Sequence, residues 1–554
     1  MKIKIEDREC ELREGTSLAE YITEMGLDSE NMETKPLAVK LGGEIFNLMY
    51  VPKRECELSL VTYMCEEGRR VYERTLQFVL IMAVRKLFPE ARVIVQYSMG
   101  QGVYITIKKQ PMLCDDDIEL IRSEMNSIAE RGLRLQRHRY DIHEALEYFE
   151  RDGQTDKAAL LKWRKFNYFD MYSCPDYSDY KDYFYGEMAP NTGYVKVFDL
   201  HRIDDSLVML LPDRSDPSKA SKYEDSPKLL AVFRESDKWG RFMTCATAAE
   251  LNRRVEDGSI RELIRVNEAL HEKNFSRVAD DIISHGAKAI LIAGPSSSGK
   301  TTSAHRLATQ LRASGLDPVM LSLDDYYIDR DKVERDANGN IDLEHINAID
   351  TEGFVRDLDM LIKGVEVSIP NFNFKTGKSE IGNNIIRLRA DQPVIIEGIH
   401  GLNPSIIRGI DPSAVYRIYV SALTTLNLDD HNRIHTTDLR LLRRLVRDYE
   451  NRGASMEHTL GMWPSVRSGE ARWIFPYQEN ADCIINTTLH YEVAVMKKHV
   501  YPLLTEVPPE SPYYCQARAI VKFLNYFVSA DVEDEIPPTS IIREFIGGNS
   551  FYND

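Results

Sequence analysis

Nine consecutive residues carry the first chemical signal. Gly294-Pro295-Ser296-Ser297-Ser298-Gly299-Lys300-Thr301-Thr302 fits the pattern GxxxxGK[ST]. Glycine lets the backbone curl until several N–H groups point inward at one anion. A helix starting at Lys300 adds the positive end of its dipole. The Lys300 ammonium reaches the outer phosphates of a nucleoside triphosphate, and the Thr301 hydroxyl suits Mg²⁺. The apolar run AILIAG before the loop reads as a strand, and TSAHRLATQLRAS after it reads as a helix. Those flanks separate a phosphate loop from a chance Gly/Ser turn. The ligand implied is ATP with Mg²⁺. The loop alone does not separate a kinase from a GTPase or a motor.

Downstream residues narrow the chemistry. Asp324, in Leu323-Asp324-Asp325-Tyr326-Tyr327, closes an apolar run and can take the proton of an attacking hydroxyl or hold metal-bound water. Glu397 closes the run Pro393–Ile396 before Gly398, an acidic position suited to Mg²⁺. A lone acid at a strand end is an ordinary turn or helix cap. Two of them beside a phosphate loop point to phosphoryl transfer. Further on, DLRLLRRLVRD carries Arg440, Arg443, Arg444 and Arg447 at helical spacing, with Leu441, Leu442, Leu445 and Val446 on the other face. A solvated amphipathic helix is the plain reading. The functional reading is a lid whose cations stabilise the charge of a transferring phosphoryl group.

These groups need a scaffold. From 287 to 554 the chain alternates strand and helix, and AKAILIAG, PVMLSLDD, PVIIEGI, VYRIYVSAL and ADCIINTTL are continuous apolar runs, as in a parallel sheet covered on both faces. The fold class expected is α/β: a C-terminal P-loop NTPase unit preceded by smaller α+β units. Residues 1–62 read as a small β-rich unit with a helix at SLAEYITEMGL, where Ser17 and Glu20 fit a capping box. Residues 63–256 read as a second α+β unit, with a long helix ended by Pro89 and a strand at VYITI. Its last part, 206–256, reads as a polar connection followed by mixed helix. Residues 257–286 read as an amphipathic linker helix. The 554 residues require several domains.

Charge and cysteine usage set limits. The net charge of −17 does not favour a general nucleic-acid binder, though a local basic groove is compatible with it. Eight cysteines without a CxxC pair read as reduced thiols. The charged N-terminus has no apolar core of a signal peptide, and no apolar run approaches the ~20 residues of a membrane helix. A cytoplasmic location is the expectation.

The last 270 or so residues resemble uridine kinases and their phosphoribulokinase relatives. GPSSSGKTT is similar to the family's ATP loop, LDDYY to QDSYY, EHINAID to DHPDAFD, and DLRLLRRLVRD to DTRLSRRVLRD. Pro370–Gly377 resembles PxYDFxTH. The resemblance implies Asp324 as catalytic base, Tyr327 near the nucleoside, and Asn347 and Asn373 at substrate-contacting positions. It also implies transfer of the ATP γ-phosphoryl to a 5′-hydroxyl. Asn347 and Asn373 stand where the family has acids, and Gly377 where it has a base-reading histidine. A different hydroxyl acceptor, as in phosphoribulokinase or pantothenate kinase, therefore stays open.

The front units resemble the TGS and editing domains of threonyl-tRNA synthetases, through Lys86–Ala91 and Tyr185–Gly193. Laid on that domain, its HxxxH pair falls on Arg74 and Phe78, and its later Cys and His fall on Phe184 and Met188. The four metal-ligand-like side chains are gone, and a Phe or a Met cannot do acid–base work or orient a water. His138, His143 and His201 lie nearby in sequence. The resemblance implies a binding or regulatory module and keeps an RNA- or tRNA-associated regulator as a second reading. The oligomeric state, homo-oligomer included, stays open.

Overall fold

The computed structural model describes residues 2–5, 8–11, 13, 15–53, 55–334, 342–373 and 376–551. The first unit is a five-stranded sheet with one helix across it. Its elements are β1 (Lys2–Ile5), β2 (Arg8–Glu11), α1 (Leu18–Glu24), β3 (Ala38–Leu41), β4 (Glu44–Phe46) and β5 (Cys56–Val61). The order is β2-β1-β5-β3-β4, with only β1 and β5 parallel. The expected capping box forms: Ser17 Oγ accepts from Glu20 N–H, and the Glu20 carboxylate accepts from Ser17 N–H.

The second unit follows without a spacer. α2 (Glu66–Leu87) starts so close to β5 that a side chain at Gly68 would lie 1.9 Å from the Thr62 carbonyl oxygen. Pro89 ends it, since its ring disfavours a helical residue before it. Then come β6 (Arg92–Met99), β7 (Gly102–Lys108), α3 (Asp115–Arg131), β8 (Gln136–Asp141), α4 (Ile142–Arg151), α5 (Thr155–Leu161), β9 (Tyr168–Ser173), β10 (Lys181–Asp182), β11 (Asp199–Ile203) and β12 (Ser206–Leu210). They form antiparallel sheets of order β11-β12-β7-β6 and β10-β9-β8. One expectation is corrected. Ser206–Leu210 does not open a polar connection; it is a wholly buried strand between β11 and β7. Its one polar residue pairs with Thr106 across the sheet.

The third unit begins with helices α6 (Pro227–Phe242), α7 (Ala248–Glu256) and α8 (Ile260–His285). Neither α6 nor α8 is a free linker. α6 wedges Leu229, Leu230 and Phe233 between Tyr97 and Tyr104 of the second unit and Ala293, Tyr419 and Leu423 of the third. The second half of α8 packs Phe275, Val278, Ala279 and Ile282 on Ile290 and Ile292. The main sheet is built from β13 (Ala289–Ala293), β14 (Val319–Ser322), β17 (Val394–Glu397), β18 (Val415–Ser421) and β19 (Cys483–Asn486). All pairs are parallel, in the order β14-β17-β13-β18-β19. These are the five apolar runs foreseen. Around them lie α9 (Lys300–Ala313), α10 (Thr351–Ile362), the antiparallel ribbon β15 (Val367–Asn373) and β16 (Lys378–Ile386), and helices α11 (Thr436–Arg452), α12 (Met456–Trp473), α13 (Glu492–Thr505), α14 (Tyr514–Leu524) and α15 (Arg543–Ile546). The register sets Ser322 and Ile292 on either side of Glu397, so the carboxyl ends of three strands line up. That crest is where open parallel sheets bind ligands.

The seven described cysteine thiols are free. Among the described residues, no helix is long and apolar enough to cross a membrane.

Candidate active site

The loop after β13 has the shape its sequence requires. A Cβ at Gly294 would lie 2.0 Å from the Val420 carbonyl oxygen, and Gly299 adopts φ +85° against Ile541. Ser297 also takes a positive φ, +57°, which an L-residue adopts only when its surroundings hold it there. Lys300 Nζ folds back and donates to the Pro295 carbonyl at 3.2 Å. Three further donors at the loop are held by carboxylates of the protein itself. Ser296 N–H donates to Glu470 at 3.0 Å, and Thr302 N–H and Oγ1 donate to Glu544 at 3.3 and 2.7 Å. Both acids stand where the backbone is built to hold an anion.

The two strand-end acids meet beside this loop. Ser322 Oγ donates to Glu397 at 3.3 Å and accepts from Asp324 N–H at 3.2 Å, so one hydroxyl ties both ends together. Gly398 allows this approach, since a Cβ there would lie 2.6 Å from Leu323 Cβ. Burial raises the Asp324 carboxyl, opposed by the charges of Lys300 and Arg452. Burial, then the Asp324 charge, pushes Glu397 up to about 7, with Lys300 opposing. A third acid, Glu344, is also pushed up to about 7, by burial and by Glu470, against Lys300 and Arg444. Lys300 is thus the shared counter-charge of three half-buried carboxyls. The donor set of Thr301, Asp324 and Glu397 is all oxygen, which fits Mg²⁺. Among the described residues no three His, Cys, Asp or Glu side chains converge as a metal cage. Mg²⁺ does not need one, because it is held by one or two carboxylates together with substrate phosphate.

The arginine helix is α11, and the structure corrects its expected role as a four-arginine lid. Arg440 and Arg443 are 1% and 0% exposed. Arg440 forms a two-pronged pair with Glu470 and donates to the Ser296 carbonyl at 3.0 Å. Arg443 pairs with Glu492 at 2.7 Å and donates to the Thr487 carbonyl. Both are buried clamps on the outside of the loop, because α11 must bury its leucine face and these two positions go in with it. Arg444 and Arg447 stay nearer solvent and share Asp448. Arg444 also donates to Ser296 Oγ at 2.8 Å.

The acceptor-side residues are more dispersed. Tyr327 is buried, donates to the Leu343 carbonyl at 3.1 Å and leans on Phe372. Asn347 is exposed on a short turn. Asn373 Nδ2 donates to Glu380, and its Oδ1 accepts from Thr376 N–H, so it caps the ribbon turn. A Cβ at Gly377 would lie 2.7 Å from Arg330 Cδ. Glu344, Glu470 and Glu544 were missed by sequence reasoning. Glu344 stands inside EHINAID and was available. Glu470 reads as an ordinary i,i+3 partner of Arg467, and nothing in the sequence links Glu544 to Thr302.

In the second unit the four positions laid on the editing site do converge, but as packing. Phe78 and Phe184 meet edge-on at 5.9 Å, Met188 is fully buried, and Arg74 Nε donates to the Glu187 carbonyl at 3.0 Å. His138, His143 and His201 do not assemble: the first two are exposed, and His201 stacks on Tyr223. Beside Phe184 lies a buried charge network. Lys157 Nζ sits 2.7 Å from both Asp182 and His431 Nδ1, and His431 comes from the segment leading into α11. Arg92–Asp430 and Arg433–Glu73 tie the same segment to the second unit, and Arg70–Asp438 ties the first turn of α11 to it.

Residues 289–494 match the sequence model of the Phosphoribulokinase / Uridine kinase family. That segment is a domain of this family. The front part matches threonine–tRNA ligases. It is 28% identical to that of Clostridioides difficile strain 630 over 175 residues, 32% of this chain and 27% of the relative. It is 29% identical to that of Symbiobacterium thermophilum over 190 residues, 34% of this chain and 28% of the relative. The chain thus spans less than a third of the length of these curated relatives. Among solved structures, one described as a possible uridine kinase from Bacillus stearothermophilus is 18% identical with a TM-score of 0.26, covering 39% of this chain and 98% of that one. At that score the likeness carries no argument, and the strand order stands on its own.

Proposed function

We propose that the protein is an ATP-dependent kinase that transfers the γ-phosphoryl group to a hydroxyl of a small molecule, a nucleoside 5′-hydroxyl being the first choice. The observation that carries this is the shared crest: Asp324 and Glu397, joined through Ser322, face Lys300 across the end of the phosphate loop. Asp324 is the base. Its carboxyl is half-buried, and the loss of solvent raises its basicity, so it takes the proton as the acceptor hydroxyl attacks phosphorus. Lys300 and the loop amides hold the phosphates. Arg444 and Arg447 offset the charge that spreads over the transferring group. Thr301, Glu397 and Asp324 would hold Mg²⁺, which when bound neutralises phosphate oxygens. Arg440 and Arg443 act by holding the loop's outer wall.

A second acceptor class is favoured by one observation. Residue 373 is an amide rather than an acid, and its Nδ2 and Oδ1 are engaged at the ribbon turn, so it offers the sugar no carboxylate. Another hydroxyl metabolite is therefore the alternative within the same chemistry. The discriminating experiment is ADP release with ATP, Mg²⁺ and a panel of nucleosides and phosphorylatable sugars and alcohols. Turnover with a nucleoside supports the first choice, and turnover with the others alone moves the assignment to the second. An RNA-associated role for the front units is a separate reading, supported by their likeness to threonine–tRNA ligases.

A further inference from the structure

The three units enclose a cleft of about 1750 Å³ between the second unit, the segment before α11 and helices α12 and α14. Thirteen Arg and Lys line it against seven Asp and Glu, in a chain whose net charge is −17. Positive charge is therefore concentrated here against the trend of the whole molecule. Most of the acids are already committed. Glu66 and Asp438 hold Arg70, Glu73 holds Arg433, Asp170 and Glu187 hold Arg137, and Glu44 holds Lys522. The seventh, Glu67, bears on Cys65 and Cys515.

Among the cations that none of these acids holds are Arg69, Arg74, Arg214 and Arg467. Arg69 donates only to the carbonyls of Tyr63 and Met64, and Arg74 only to that of Glu187. Arg214 has no side-chain hydrogen bond or ion pair among the described residues. Arg467 shares Glu470 with Arg440, and its Nε is buried without a partner. Three of the four act on one another: Arg214 is held below the usual guanidinium range by burial, then by Arg69 and Arg467. Guanidinium groups that crowd together with fewer carboxylates than cations are the arrangement that receives a phosphate group by paired N–H bonds.

We infer that this cleft is a second anion site, taking the phosphate group of a small phosphorylated molecule on Arg69, Arg214 and Arg467. The site reports to the phosphate loop through Arg467. That side chain holds Glu470, and Glu470 accepts the Ser296 N–H. An anion that draws Arg467 into the cleft removes one of the contacts that position Glu470 against the Ser296 N–H. The binding claim does not depend on the kinase assignment.

The test uses the full chain carrying Lys300→Ala, which disables the phosphate loop, titrated calorimetrically with inorganic phosphate and then with AMP at low salt. Saturable one-to-one binding that weakens at least tenfold in Arg214→Gln and in Arg69→Gln is the expected result. A response to both probes marks phosphate alone as the recognised group, whereas a response to AMP alone marks a nucleotide. No binding, or binding unchanged in both variants, overturns the site. So does capture of a single-stranded RNA with no response to either small probe. Among the described residues the Arg214 side chain has no hydrogen-bond or ion-pair partner, so its variant keeps the fold, which circular dichroism checks.

Discussion

Glu544 holds two donors of Thr302 at the start of α9, and α15, which carries it, is anchored by the fully buried Ile541, Ile542 and Phe545. The tail therefore stays seated while only the carboxylate turns aside when phosphate arrives. Replacing Glu544 by Gln removes a negative charge from the rim of the phosphate cradle. Two like charges about 5 Å apart repel by about 3 kcal/mol at an effective dielectric of 20. Glu544 is half-buried, so solvent screening reduces this to about 1–1.5 kcal/mol. That corresponds to about tenfold tighter binding of ADP. The empty protein moves the other way. A charge-assisted hydrogen bond at a helix N-terminus becomes a neutral one, at a cost of about 0.5–1 kcal/mol. The variant should thus melt slightly lower without ligand and gain more from Mg-ADP than the wild type. Calorimetric titration and melting curves with and without Mg-ADP measure both. Unchanged or weaker ADP binding would refute the view that Glu544 stands in an anion's place.

Two further outcomes follow from buried charges. Glu470→Ala leaves Arg440 buried without its counter-ion, which costs about 3–5 kcal/mol and lowers the melting point by about 10 °C; a fall under about 2 °C would show that Arg440 finds another partner. His490 is buried, and burial holds it neutral down to about 4. A histidine whose folded value is depressed contributes stability that is present above its unfolded value, near 6.5, and is lost as the pH falls toward 4. Between pH 7.5 and 5 the wild type should therefore lose about 2 kcal/mol more than His490→Gln, read from urea midpoints; parallel pH profiles would contradict this.

Legibility in the sequence divided along physical lines. The five main-sheet strands, α2 and the phosphate loop were readable because each is specified by a local pattern: an unbroken apolar run, a helical period, or a glycine spacing. Ser206–Leu210 was misread because one serine and polar flanks masked a short strand buried on both faces. The arginines of α11 were readable as a helix but not as clamps. Their burial depends on Glu470 and Glu492, which lie 30 and 49 residues away and meet them only through the fold. Glu544 is the extreme case, 242 residues from Thr302. Asn373 looked like a lost substrate contact, and the structure gives it local work instead, at the ribbon turn. The front units kept the backbone that brings positions 74, 78, 184 and 188 together, while the side chains there now pack.

The central claim is that Lys300, Asp324 and Glu397 form one phosphoryl-transfer site. It is tested most directly by ADP release from ATP and Mg²⁺ with the acceptor panel, run on the wild type beside Lys300→Ala and Asp324→Asn. The account predicts acceptor-dependent turnover in the wild type. It predicts that Lys300→Ala abolishes turnover, and that Asp324→Asn lowers it by at least about 100-fold with nucleotide binding retained. Full activity in either variant, or no turnover of any acceptor by the wild type, would contradict it.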